Sequence, residues 1–145
     1  MTQPNLVTRW RSWSPYLLSL LRIVVAFLFI QFGTGKLFAL PAAIMPGGVT
    51  AAFNTQAWWA GFLETFGGFF ILLGWFTRPV AFLLSGEMAF AYFIGHAPQG
   101  FWPVLNQGHP AVLFCFVFLY FSAAGAGPWS LDWFRKPSQR AVPGP

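Results

Sequence analysis

The fold is decided by the stretch Trp58-Trp59-Ala60-Gly61-Phe62-Leu63-Glu64-Thr65-Phe66-Gly67-Gly68-Phe69-Phe70-Ile71-Leu72-Leu73-Gly74-Trp75-Phe76-Thr77-Arg78. It holds about 20 apolar residues, and a helix of that length, at about 1.5 Å per residue, crosses a hydrocarbon core of about 30 Å. Trp58, Trp59 and Trp75 lie near its two ends, where interfacial aromatic side chains are enriched. The stretch therefore predicts a transmembrane helix.

One carboxylate, Glu64, interrupts this apolar stretch roughly 9 Å from its first end. A charge at that depth costs about 2.5–3.5 kcal/mol on insertion scales, so Glu64 is expected to face a partner and not lipid. The residues on its helix face are mostly small, namely Ala60, Gly61, Gly67 and Gly68. Small residues allow another helix to approach closely. Glu64 is either a structural ion-pair member or a functional group, and both interpretations stay open.

The composition is that of a membrane protein. The 145 residues are 57% hydrophobic, 21% aromatic and 8% charged, whereas soluble domains average about 25% charged. The net charge of +5 would indicate nucleic acid in a soluble protein. Here the cations sort by loop, so the bilayer, and not nucleic acid, is the expected partner. The single cysteine, Cys115, lies in an apolar run and predicts a small buried side chain without a disulfide or zinc site.

The pattern predicts an all-α fold, an integral membrane four-helix transmembrane bundle. The expected spans are about residues 17–40, 57–77, 79–97 and 110–127. Residues 1–15 are predicted to form a cytoplasmic interfacial arm, since the apolar stretch after them is too long for a signal peptide. Residues 16–134 form the transmembrane domain, and the Pro-rich residues 135–145 a disordered cytoplasmic tail.

The cations outside the spans fall on one side of the predicted bundle. They are Arg9, Arg11, Arg78, Arg135, Lys136 and Arg140. The loops on the other side carry no Lys or Arg. The positive-inside rule then predicts that both termini are cytoplasmic. His96, Asn106 and His109 are expected at the outer surface.

Four charged residues lie inside the spans: Arg22, Lys36, Glu64 and Glu87. Counted from the inner end, Arg22 is roughly 8 Å deep and Glu87 roughly 12 Å deep, whereas Lys36 and Glu64 lie in the outer half. Matching depths predict two cross-helix ion pairs, Arg22 with Glu87 and Lys36 with Glu64. Such a buried charge network either fixes helix register or binds a proton or a quinone.

The two histidines do not predict a metal site. His96 and His109 have no Asp, Glu or Cys in the same outer loops to complete a ligand set, and two imidazoles alone make a poor site. We expect them to bond the loop or a partner, and Asn106 to lie in a turn.

A series of spaced motifs runs along the chain. They are Arg22, Gly33-x-x-Lys36, Ala60-Gly61-x-x-Glu64-x-x-Gly67-Gly68, Gly74-x-x-Thr77-Arg78, Met88-x-x-Ala91-Tyr92, His96, Asn106-x-Gly108 and Gly125-x-Gly127-x-x-Ser130-Leu131-Asp132. In this order the motifs resemble the DoxX family of small bacterial membrane proteins. The resemblance implies a four-helix transmembrane bundle in the bacterial plasma (inner) membrane. It supports the fold more strongly than any reaction.

Two positions depart from the family pattern. Family members often have a histidine where this chain has Phe32, and a glutamate where it has His109. If those polar groups serve a site in other members, the resemblance implies that the site is altered here.

The resemblance also directs the functional hypotheses. The family is related to the DoxD subunit of an archaeal thiosulfate:quinone oxidoreductase, and some members are described as partners in membrane oxidoreductase complexes. This implies an accessory subunit of a quinone- or thiol-linked redox system, without activity of its own, that works with a membrane oxidoreductase or as a homo-oligomer. A quinone carbonyl would bond Lys36 or His96 beside aromatic side chains. The alternatives are a non-enzymatic scaffold or assembly factor, and a small-solute or proton carrier that uses Glu64 and Glu87.

Overall fold

The computed structural model describes residues 6–135, with side chains from Trp10 onward, and this part of the chain is helical without β-strands. The helices are α1 (Leu6–Phe38), α2 (Gln56–Leu73), α3 (Thr77–Ala91), α4 (His109–Ala124) and α5 (Leu131–Arg135). A π-helical turn, Tyr92–His96, and a 3₁₀ turn, Ala97–Gln99, continue α3, and a second 3₁₀ turn covers Pro46–Gly48. Of the predicted disordered tail, residues 135–145, Arg135 is the last residue of α5, and residues 136–145 lie outside the described residues, as do the first five residues of the predicted arm.

Among the described residues, two helical stretches are long and apolar enough to cross a membrane, Trp10–Phe38 and Thr77–Gln99. Helix α4 is apolar but shorter, with 16 residues. Large apolar side chains on three helices point outward: Phe27, Phe82 and Phe116 are 60%, 67% and 66% exposed. Such surfaces suit lipid and not water. The all-α class and the membrane assignment therefore hold, and the count of four spans stays a prediction.

The core lies where four of the helices meet. Helix α1 packs mainly on α2, and α3 mainly on α4. Phe29, Ile71, Leu84 and Phe118, one from each helix, are almost fully buried in one cluster. The rings of Phe29 and Phe118 meet edge to face, with centroids 4.7 Å apart, an arrangement that aromatic pairs favour.

Helix α1 begins earlier than the sequence indicates. The described part of the predicted arm, residues 1–15, is continuous with the first span, because α1 continues through Pro15. A proline inside a helix removes the bond to the carbonyl four residues before it. Here that carbonyl belongs to Arg11, on an exposed part of α1. The helix ends at Phe38, two residues before the predicted end of the span.

The turn between α2 and α3 also differs from the predicted bounds. Helix α2 ends at Leu73 and not at residue 77, because Gly74 takes a left-handed conformation (φ 66°) and its N–H caps the last turn. A glycine at this position is a common helix stop. Helix α3 begins at Thr77, two residues before Pro79. The Asp132 carboxylate accepts bonds from the N–H groups of Phe76 and Thr77 at 2.9 and 2.8 Å, which caps this start.

The last span is shorter than predicted. Helix α4 covers His109–Ala124, against residues 110–127, because Gly125 has a backbone conformation (φ 88°, ψ −163°) outside the helical region. The Arg78 side chain donates to the Ser122 and Ala123 carbonyls at 3.2 and 2.6 Å. A cation at a helix C-terminus is favourable, since it satisfies carbonyls that have no partner in the helix.

Candidate functional site

The charged pair between α1 and α2 is formed as predicted. The Nζ atom of Lys36 lies 2.5 Å from Oε1 of Glu64. Glu64 is 3% exposed and its second oxygen, Oε2, has no hydrogen-bond partner among the described residues. An acceptor that is buried without a partner is costly. The pair therefore has unused hydrogen-bonding capacity, from Oε2 of Glu64 and from the remaining N–H groups of Lys36.

Two glycines one helical turn before these residues bring the helices together. A Cβ atom on Gly33 would lie 2.5 Å from the backbone nitrogen of Thr65 and 2.7 Å from the carbonyl oxygen of Gly61. A Cβ atom on Gly61 would lie 3.1 Å from Cβ of Lys36. Only glycine permits this separation, because any side chain would meet the other helix. The spacing Gly-x-x-Lys on α1 and Gly-x-x-Glu on α2 thus positions the ion pair.

The pair opens onto a cavity of about 330 Å³. Lys36, Glu64, His96 and Gln107 contribute its polar lining. The apolar lining includes Phe29, Phe32, Met88, Ala111 and Phe114. Small-molecule sites typically have this size and this mixture of an apolar wall with a few polar groups.

Phe32 is part of that wall. Its ring packs edge to face on Phe114, with centroids 5.8 Å apart. The resemblance described above implies a histidine at this position in many family members, and here the cavity wall has an apolar ring instead. His109, the second departure, opens α4, is exposed and is not part of the cavity wall.

His96 is held by the loop between α3 and α4. Its Nδ1 atom lies 2.9 Å from the Asn106 backbone oxygen. The buried Asn106 side chain shapes the same loop, since Nδ2 donates to the Gly100 carbonyl at 2.6 Å and Oδ1 accepts from the Gly108 N–H at 2.8 Å. The π-helical turn carries His96 at its end, and such turns are frequent at functional sites. Asn106 therefore contributes to the cavity by holding the loop that bonds His96.

Glu87 does not pair with Arg22, and this prediction is wrong. Both Glu87 carboxylate oxygens are buried without a hydrogen-bond partner among the described residues, and the charges that act on it are those of Glu64 and Lys36. Glu87 lies about 15 Å along α3 from its start at Thr77, within reach of the Glu64 and Lys36 charges, whereas Arg22 binds carbonyls at the end of α2.

Arg22 instead binds backbone carbonyls. It is fully buried, and Nη1 donates to Ile71 and Leu72 at the C-terminus of α2. Nε donates to Ala126 at 2.9 Å, and Nη2 donates to Trp129. The guanidinium thus satisfies carbonyls that the last turn of α2 leaves free. The predicted network of four charges divides into a structural arginine at one end and a Lys36–Glu64–Glu87 group.

Some cavity residues were not singled out from the sequence. Gln107 and Phe114 line the cavity, and Gln107 has an unusual backbone φ of 58°. Gln107 is the middle residue of the loop motif Asn106-x-Gly108, and that motif could have identified it from the sequence. No group of three or more His, Cys, Asp or Glu side chains that could hold a metal lies within the described residues.

The comparisons with known proteins point to one family. The model of the DoxX family matches residues 17–97. An uncharacterised protein of Haemophilus influenzae is 45% identical over 130 residues, which cover 86% of this chain and 96% of the relative. No solved structure matches the chain.

Proposed function

Because the chain belongs to the DoxX family, we propose that it is a membrane subunit that binds a lipid-soluble quinone for a partner oxidoreductase. The observation that carries this proposal is the 330 Å³ cavity, in which the Lys36–Glu64 pair and His96 face an aromatic wall. The proposal assigns this chain the binding of the quinone and assigns electron transfer to the partner.

The donors and acceptors of the cavity fit a quinone headgroup. Lys36 has three N–H donors, of which one is directed at Glu64, so a quinone carbonyl oxygen can accept from another. The rings of Phe29, Phe32 and Phe114 offer flat apolar contact to a quinone ring. A quinone, when bound, supplies reversible transfer of two electrons and two protons. The residues of this chain hold and orient its headgroup.

The proposal includes four spans, with both termini on the cytoplasmic side of the bacterial plasma membrane. Helix α2 has 18 residues, about 27 Å, and α4 has 16, about 24 Å, so each nearly matches a core of about 30 Å. Asp132 of α5 bonds the start of α3, so Arg78 of α3 and Arg135 of α5 lie at the same end of the helices. The loops at the opposite end have no Lys or Arg. This asymmetry supports the orientation.

Quinone retention tests the proposal. The chain is extracted with native lipid in nanodiscs, and its lipid fraction and protein partners are identified by mass spectrometry. We expect about one quinone per chain, and loss of most of it in Lys36→Met and Phe114→Leu. Phe116→Leu is the matched control, because Phe116 is on the same helix but 66% exposed. Lipid without quinone, or equal retention in Lys36→Met, would contradict the proposal. A protein partner without quinone would favour the scaffold alternative.

A further inference from the structure

The hydrogen-bonding state of His96 is determined by the loop that holds it. Its Nδ1 atom lies 2.9 Å from the backbone oxygen of Asn106. A carbonyl oxygen only accepts, so Nδ1 carries the hydrogen of this bond. In the neutral imidazole the other nitrogen, Nε2, then has a lone pair and is an acceptor. His96 therefore brings an acceptor, and not a donor, to a ligand in the cavity that it lines.

Glu64 brings a second acceptor. Its ion pair with Lys36 requires the ionised carboxylate, which has no hydrogen to donate. Oxygen Oε1 bonds Lys36, and Oε2 has no partner among the described residues. The amide of Gln107, which also lines the cavity, both donates and accepts and favours neither kind of ligand. Apart from the Gln107 amide, the polar wall thus has two acceptors, Nε2 of neutral His96 and Oε2 of Glu64, and one donor group, Lys36.

From this inventory we infer that the cavity selects the reduced form of its ligand, the quinol. A quinol has two O–H groups, one for each acceptor, and its oxygens still accept from Lys36. A quinone has no hydrogen to donate, so it leaves both acceptors without partners. Buried acceptors without partners carry the desolvation cost that drives discrimination between such ligands. This inference rests on the proposed quinone function.

The selection has an electrochemical consequence. A site that binds the quinol more tightly than the quinone raises the reduction potential of the bound couple. One hydrogen bond to each acceptor makes about a tenfold preference a conservative expectation. For a two-electron couple a tenfold change in equilibrium constant corresponds to about 30 mV. The protein would therefore hold its ligand in the reduced form, and a partner that oxidises it would need a potential above that of the bound couple.

The experiment compares the two oxidation states of one ligand. A short-chain alkyl benzoquinone and its quinol are titrated anaerobically into the full chain in nanodiscs, and each Kd is measured by calorimetry. We expect the quinol to bind about tenfold more tightly. His96→Phe should weaken quinol binding about threefold, because the Glu64 acceptor remains, and should leave quinone binding unchanged. His96→Gln, which keeps an acceptor, should weaken quinol binding less than His96→Phe does. His109→Phe, the matched control on an exposed histidine outside the cavity, should change neither.

The outcomes separate this inference from the proposed function. If both forms bind equally, or if the quinone binds more tightly, quinol selection is wrong and the quinone site stands. Equal weakening of both forms by His96→Phe would likewise show that quinol selection is wrong and leave the quinone site standing. If neither form binds to the wild-type chain, the proposed function fails, and the inference with it. Unchanged quinone affinity in His96→Phe also shows that the variant is folded.

Discussion

The Nζ atom of Lys36 in α1 lies 2.5 Å from Oε1 of Glu64 in α2. The two residues are joined across the closest approach of their helices, where Gly33 faces Thr65 and Gly61. Lys36 keeps 21% of its side chain exposed, whereas the Glu64 side chain keeps 4%. The pair therefore links the packing of the first two helices to the wall of the cavity.

Replacing Glu64 by Gln should destabilise the protein. The change leaves the Lys36 ammonium without its counter-charge, and breaking a buried ion pair costs about 3–5 kcal/mol. The partial exposure of Lys36 favours the lower end, about 3 kcal/mol. Reversible unfolding in detergent measures the loss, and the exchanged pair Lys36→Glu with Glu64→Lys should recover most of it. A double-mutant cycle without coupling between the two positions would contradict this expectation.

Replacing Arg22 by Met should destabilise the end of the bundle where α2 ends. The guanidinium donates to carbonyls of Ile71, Leu72, Ala126 and Trp129. Ile71 would keep the Gly74 N–H as a donor, whereas the other three carbonyls would lose the guanidinium donor. We expect a loss of about 3 kcal/mol or more. Arg22→Lys should recover less than half, because one ammonium cannot reproduce the planar, multidirectional donor set of a guanidinium. Full stability of Arg22→Lys in the same unfolding assay would show that charge alone suffices.

Replacing Glu87 by Met should stabilise the protein. Both carboxylate oxygens are buried without hydrogen-bond partners in the described part of the chain, and removing an unsatisfied buried group recovers about 1–3 kcal/mol. The thermal midpoint in a fixed detergent measures the change. The double variant of Glu87→Met with Arg22→Met should be additive, since the two residues do not pair. A loss above about 1 kcal/mol in Glu87→Met would mean that the carboxylate has a partner.

Replacing Gly33 by Ala should separate α1 from α2. Its Cβ atom would lie 2.5 Å from the backbone nitrogen of Thr65, and overpacking of this kind costs about 1–3 kcal/mol. Gly86→Ala is the matched control, because a Cβ atom there meets nothing within 4 Å. That change should stabilise α3 by about 0.5–1 kcal/mol, since alanine is the better helix former. Equal effects of the two substitutions on unfolding would contradict the close approach.

The sequence by itself determined the helical class, the membrane environment and the Lys36–Glu64 pair. Few charges and long apolar stretches leave helices as the structures that satisfy every backbone group in lipid. The pair could be predicted because Lys36 and Glu64 lie at matching depths in their spans; the structure adds that a glycine three positions before each residue brings the two helices together. The family match was also reached from the order of such motifs.

The tertiary structure alone decided which groups Arg22 bonds and that Glu87 does not pair with Arg22. It also decided that Nδ1 of His96 bonds the Asn106 backbone oxygen. Backbone carbonyls are present at every residue and have no sequence signature, so nothing marked Ile71 or Ala126 as a partner of Arg22. Depth along a helix depends on where it starts, and a shift from Pro79 to Thr77 helped move Glu87 away from its expected partner. The cavity is set by how helices rotate against one another, which depends on the packing of every helix at once.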